Sequence, residues 1–112
     1  MENRRHKRYE AAIAAEVTVR HEVYDAQTRN ISEGGVSAIL DSGLEEGSTV
    51  RLTLILTQDG IEDPGQEPLE LSANVMWCAE DDAGSFTAGL RFCDVDEEQR
   101  LRLQRFLAAL SE

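Results

Sequence analysis

Apolar residues recur at every second position in one stretch of the chain after another, and the period changes only once, near the C-terminus. Val50, Leu52, Leu54 and Leu56 share one phase, as do Leu69, Leu71, Ala73 and Val75, and again Phe86, Ala88, Leu90 and Phe92. Alternation of this kind marks strands with one buried and one wetted face, the pattern of antiparallel sheets. The segment from Ala12 to Val23, with Val17 and Val19 in phase, adds a further strand, and Tyr24-Asp25-Ala26-Gln27 reads as a short hairpin turn. Thr28 to Ile31 is extended, Ser32 to Gly35 is a tight turn, and Val36 to Leu40 is a short strand. Residues 58–68 hold both prolines and read as a loop, and Glu80 to Ser85 as an acidic turn. Leu103, Phe106, Leu107 and Leu110 then stand at helical spacing, with Asp94 followed by Glu97, or Asp96 alone, able to cap the start. About six strands and one terminal helix in 112 residues predict an all-β fold, a six-stranded antiparallel barrel with a C-terminal α-helix over about 96–110 packed at an opening.

A chain of this length makes one domain and buries a core without a metal or disulfide staple. Cys78 and Cys93 have no paired spacing and read as reduced thiols. No apolar run approaches the ~20 residues of a membrane helix. The N-terminus lacks the apolar stretch of a signal peptide, so the expected location is cytoplasmic, without membrane insertion. The net charge of −11 argues against a nucleic-acid partner, which needs a basic footprint. That charge is unevenly spread: residues 1–8 carry four of the eleven Lys and Arg and a single acid, Glu2. The expected division is a flexible basic arm over 1–11 and a barrel domain over 12–112.

The arm contains Arg4-Arg5-His6-Lys7-Arg8, with Arg4 and Arg8 four residues apart, and so on one side of an extended chain. Guanidinium offers a planar fork of donors that fits phosphate oxygens, and the same fork fits O6 and N7 of guanine. Further on, Asn30-Ile31-Ser32-Glu33-Gly34-Gly35 places an amide and a hydroxyl on alternate residues of a strand, facing the same way, ahead of two glycines. Gly35 leaves room for close backbone approach. Together the two motifs describe a site for a small guanine-containing dianion.

Arg4 and Arg8, followed one strand later by Asn30, Ser32 and Gly35, resemble the RxxxR and [D/N]xSxxG elements of the PilZ domain family. Ala88-Gly89-Leu90-Arg91-Phe92 resembles the Gly-x-x-Phe strand that precedes the family's last helix. The resemblance spans Arg4 to Leu110 and implies a receptor for cyclic di-GMP with no catalysis. It implies ligand contacts from Arg4, Arg5, Arg8, Asn30, Ser32, Gly34 and Gly35, and an arm that orders over the nucleotide. A domain of this kind acts on a separate effector protein in trans, in motility or biofilm regulation, as a monomer or weak dimer.

The competing reading is a degenerate member of the family that binds a protein and no nucleotide. An enzyme is the weakest reading, because no nucleophile–base pair is visible. The paired carboxylates at Glu45-Glu46, Glu80-Asp81-Asp82 and Glu97-Glu98 lie in turns or at a helix start, where acids are common. His6 and His21 lack metal-ligand spacing, so neither a metal nor a cofactor is expected. Trp77 reads as core or barrel rim, with stacking against guanine as the functional alternative.

Overall fold

The computed structural model describes residues 8–55, 57–58, 61–62 and 68–110. Among these residues nine strands precede the helix: β1 (Tyr9–Glu10), β2 (Ala14–Val19), β3 (Glu22–Ile31), β4 (Gly35–Leu40), β5 (Thr49–Leu54), β6 (Thr57–Gln58), β7 (Ile61–Glu62), β8 (Leu69–Glu80) and β9 (Phe86–Cys93), followed by α1 (Glu97–Leu110). Six of them run in the order β3-β2-β5-β8-β9-β4, and β4 pairs back onto β3. Every pairing is antiparallel, so the six form a closed barrel, and closure removes the open edges that an isolated sheet would present. β1 adds to the end of β3 on the edge that β2 has left. Within the stretch expected to be a loop, β6 and β7 make a two-residue ladder outside the barrel.

Alternating side chains fill the interior as the periodicity requires. Val17, Leu52, Leu54, Leu69, Leu71, Ala73 and Val75 are all at most 2% exposed. Full burial of a Leu or Val side chain stabilises by about 1.5–3 kcal/mol. α1 closes the end of the barrel where β5 gives way to β8, burying Leu103 and Leu107 in the common core. Its start is fixed by a reciprocal cap. The Gln99 backbone N–H donates to Asp96 Oδ1 (2.8 Å), and the Asp96 N–H donates to Gln99 Oε1 (2.9 Å). Gln99 Nε2 also donates to the Glu70 carbonyl at 2.7 Å, tying the helix to β8. Asp96 is therefore the capping residue with Gln99 as its partner, while Asp94 takes a left-handed φ of 54° in the approach to the helix.

The first hairpin differs from its sequence reading. β2 ends at Val19, the chain reverses at Arg20-His21, and Tyr24 to Gln27 lies inside β3. A two-residue connection needs a left-handed residue, and Arg20 supplies it at φ 59° with no Gly or Asn to announce the turn. Asp25 and Gln27 are instead the wetted positions of a strand, with Val23 exposed beside them. Cys78 and Cys93 are free thiols. Among the described residues, no helix is long and apolar enough to cross a membrane.

Candidate functional site

Two β-bulges set the site. On β3, Thr28 pairs with Ala38 and Asn30 with Ser37, leaving Arg29 as an extra residue. Thr28 faces inward at 1% exposure, and in a regular ladder Asn30 would follow it into the core. The extra residue turns Asn30 to the outer wall and sends Ile31 inward. On β8, Val75 pairs with Leu90 and Trp77 with Gly89, leaving Met76 as the extra residue. Val75 is buried, and a regular strand would bury the indole as well; the bulge leaves Trp77 43% exposed on the outer wall.

β4 and β9 supply the floor. A Cβ at Gly89 would lie 2.1 Å from Trp77 Nε1, so the pyrrole part of the indole rests directly on bare backbone. A Cβ at Gly35 would lie 2.3 Å from the Leu90 carbonyl oxygen, a collision with main chain that cannot move aside cheaply. The close approach that requires glycine at 35 is therefore made by the neighbouring strand. Ser37 stands between Gly89 and Asn30 in the ladder, and Asn30 Nδ2 donates to its Oγ at 3.2 Å.

The turn that links β3 to β4 is organised by one hydroxyl. Ser32 Oγ accepts from the backbone N–H groups of Gly34 (3.1 Å) and Gly35 (3.2 Å), while the Ser32 N–H donates to the Gly35 carbonyl at 2.9 Å. β1 brings the base of the arm to the same place. Tyr9 pairs with Ile31 and Glu10 with Asn30, so the register, continued by one residue, sets Arg8 opposite Ser32. Thr28 holds this junction from inside: its hydroxyl donates to the Ala11 carbonyl and accepts from the Ile13 N–H at 2.9 Å. Burying a hydroxyl is tolerable here because both its capacities are used.

These elements enclose an open cleft of about 220 Å³, and Asn30, Ser32, Gly34, Gly35 and Arg8 all line it. Arg4 and Arg5 lie outside the described residues. Sequence reasoning did not reach Ser37, Met76 or Arg91, which also line the cleft. Arg91 was visible within Gly89-Leu90-Arg91-Phe92, but which strand it would lie beside was not. Among the described residues the lining contains two arginines and no Asp or Glu, in a chain with twenty-two acids. An anion meets no carboxylate in that described lining and finds guanidinium and amide donors beside the Ser32 and Ser37 hydroxyls. Among the described residues no group of His, Cys, Asp and Glu is arranged to hold a metal ion.

A closed six-stranded barrel with a terminal helix and a donor-rich outer cleft at the β3–β4 turn defines a class of small binding module. The chain belongs to the PilZ domain family, whose model matches residues 2–109. PilZ domains are non-catalytic receptor and adaptor modules. No curated protein matches the sequence. Among solved structures, the fold is similar to the PilZ domain with c-di-GMP of YcgR from Escherichia coli, at 19% identity and a TM-score of 0.76, covering 98% of this chain and 92% of that one. It is similar to the inhibitor of motility MotI/DgrA of Bacillus subtilis, at 20% identity and a TM-score of 0.76, covering 97% of this chain and 51% of that one. It is also similar to MrkH of K. pneumonia in its complex with c-di-GMP, at 13% identity and a TM-score of 0.76, covering 99% and 53%. The chain thus spans about half the length of MotI/DgrA and of MrkH.

Proposed function

We propose that this chain is a cytoplasmic receptor for cyclic di-GMP that passes the signal to a separate effector protein. The observation that carries this reading is the acid-free cleft, where Arg8, Asn30, Ser32, Gly34 and Gly35 converge on the outer wall of an otherwise acidic barrel. Arg8 supplies a fork for a phosphate oxygen or a guanine edge, and Asn30 supplies amide donors and an acceptor. Ser32 acts first by shaping the turn that presents the Gly34 and Gly35 backbone. Arg4 and Arg5 precede Arg8 by four and three residues, and the ligand draws them in once Arg8 is engaged. Like charges along residues 4–8 repel one another until the two phosphates neutralise them, so binding and ordering of the arm are coupled. The ordered arm, lying over the nucleotide, is then a new surface for the effector.

The test is calorimetric titration with cyclic di-GMP of the wild-type chain and of Arg8→Ala. A charge-assisted hydrogen bond carries roughly 2–4 kcal/mol with its desolvated partner, so affinity should fall at least tenfold. Trp77, the single tryptophan, reports independently, since a ligand in the cleft lies against its indole and changes its emission. Binding by Arg8→Ala equal to wild type would remove Arg8 from the site. A wild-type chain that does not bind the nucleotide would leave the module as a protein-binding domain only.

A further inference from the structure

We propose that the uncovered mouth of the barrel, at the end opposite α1, docks a cationic, amphipathic segment of a partner protein, with an apolar side chain in the hollow and lysine or arginine around it. This rests on the reading that the chain acts through a separate protein, and not on nucleotide binding. The β2–β3, β4–β5 and β8–β9 connections meet at this end. Between the first two lies a hollow of about 560 Å³, with an apolar lining from Val19, Tyr24 and Leu44. Val19 and Tyr24 continue the inward rows of the core. Ala15 and Val17 are buried on β2, and Val19, next in phase, is only half-buried. Tyr24, which pairs with Val17, is left half-open in the same way. Leu103 and Leu107 of α1 fill the other end, and among the described residues no helix covers this one.

The hollow is preformed. The Leu44 N–H donates to Cys78 Sγ at 3.4 Å, and the Cys78 N–H donates to Glu46 Oε1 at 3.3 Å. The Gly47 N–H donates to the Val75 carbonyl (2.8 Å) and the Val75 N–H to the Ser48 carbonyl (2.9 Å). This wall is tied to β8, so little ordering opposes a partner. Charge names the occupant. Residues 20–25, 41–48 and 80–85 carry eight carboxylates, all exposed, and one arginine, Arg20. Such a rim repels nucleic acid and anionic lipid and attracts a cationic segment. Among the described residues no group of acids is placed to hold a metal ion. The chain's own basic arm falls short. β3 runs ten residues from Ile31, beside Tyr9, to Glu22, roughly 30 Å at ~3.4 Å per residue, whereas Arg4 stands five residues before Tyr9, about 18 Å of chain at most.

The experiment titrates, without nucleotide, a fluorescent peptide of lysines flanking a central pair of leucines, and its twin with serines in their place. Anisotropy gives dissociation constants for the wild-type chain, Glu45→Lys at the mouth, Glu98→Lys on α1 and Val19→Thr, with thermal melts confirming that each variant is folded. The wild-type chain should bind the leucine peptide about tenfold more tightly than the serine peptide, because only leucine gains by burial. Val19→Thr keeps the β-branched shape and should narrow that preference roughly threefold. Glu45→Lys should weaken the leucine peptide roughly fivefold, and Glu98→Lys, the same change of charge at the other end, less than about twofold. Equal losses in the two charge variants would overturn the assignment, as would equal affinity of the wild-type chain for both peptides or a preference untouched by Val19→Thr. Sedimentation showing that the chain pairs with a second copy through this mouth, undone by Glu45→Lys, would overturn the partner in favour of the chain itself. Failure of the leucine peptide to bind would overturn the docking surface and leave the nucleotide reading to its own titration.

Discussion

Two concave regions of the barrel differ in the charge of their walls, and the smaller of the two carries the donors. The cleft on the outer wall measures about 220 Å³ and the hollow at the far mouth, between the β2–β3 turn and the segment leading into β5, about 560 Å³. The far mouth is lined by Arg20 and His21, but Glu22 and Glu45 share its wall. The positive charge of Arg20 is thus offset by carboxylates, and none of its walls is a glycine-backed turn with N–H groups gathered on one hydroxyl. Among the described residues the cleft has two arginines without acids, and a floor in which Gly89 lets the Trp77 indole lie on β9 and Gly35 lets β9 approach β4 closely. Volume therefore says little about which region binds an anion; the sign of the wall and the access to backbone say much more.

The largest effect should come from closing the cleft's floor. In Gly35→Ala the new methyl group meets the Leu90 carbonyl at 2.3 Å, and β4 and β9 must separate to admit it. Forced overpacking costs about 1–3 kcal/mol, occasionally more, and here it also distorts the Ser32 turn. Urea denaturation should show a loss of at least that size, and titration should show nucleotide binding abolished. A Gly35→Ala chain as stable as wild type would mean that the strands lie further apart than described. Next comes the contrast between the two concave regions. Arg8→Ala should weaken cyclic di-GMP at least tenfold, whereas Arg20→Ala at the far mouth should stay within about twofold, the residue of long-range attraction left by screening over ~8 Å. Equal losses at both positions would show that general charge, and not the cleft, drives binding.

The strand phases and the helix stripe were legible because they depend on local alternation, and Leu69 to Val75, Phe86 to Phe92 and Leu103 to Leu107 lie as their spacing demands. The bulges were not, because a bulge is a count of two residues against one on another strand, and neither Arg29 nor Met76 carries a local signature of it. That is why Trp77 could be read as core: in an unbroken strand it would share the phase of Val75. The turn at Arg20-His21 was hidden for a related reason, since a left-handed arginine is permitted by its neighbours and not by its type. Five motif residues meet in the cleft, but Arg91 joins them only through the β4–β9 register, which no spacing within one segment encodes.

The junction between arm and barrel offers a smaller effect. Thr28→Val keeps the shape but leaves the Ala11 carbonyl and the Ile13 N–H without their partner. An unsatisfied buried group costs about 1–3 kcal/mol, so stability in urea should fall by that order. Because Ala11 adjoins β1, whose pairing sets Arg8 opposite Ser32, nucleotide affinity should fall as well, though by less than in Arg8→Ala. A loss of stability with unchanged affinity would separate the tether from the site.

The smallest effect belongs to the far mouth and is spectroscopic. The Tyr24 hydroxyl donates to the Glu22 carboxylate, and that hydrogen bond, with some desolvation and the nearby negative charge, raises the phenol above its ordinary value of 10.0. A group whose folded-state pKa is raised holds its proton more tightly when folded. Its contribution is therefore complete below the unfolded value and fades as pH rises through the folded one. Tyr24 is half-buried, but its hydrogen bond to Glu22 is open to solvent, so the change in stability is negligible and the titration itself is the observable. Phenolate absorbance, taken as the difference between the wild-type chain and Tyr24→Phe, should have its midpoint above 10, and Glu22→Gln should bring it down by removing the charge while keeping an acceptor. A midpoint indifferent to Glu22 would mean that the pair does not form in solution, and the far mouth would then present a free carboxylate beside Arg20, still further from the acid-free wall of the cleft.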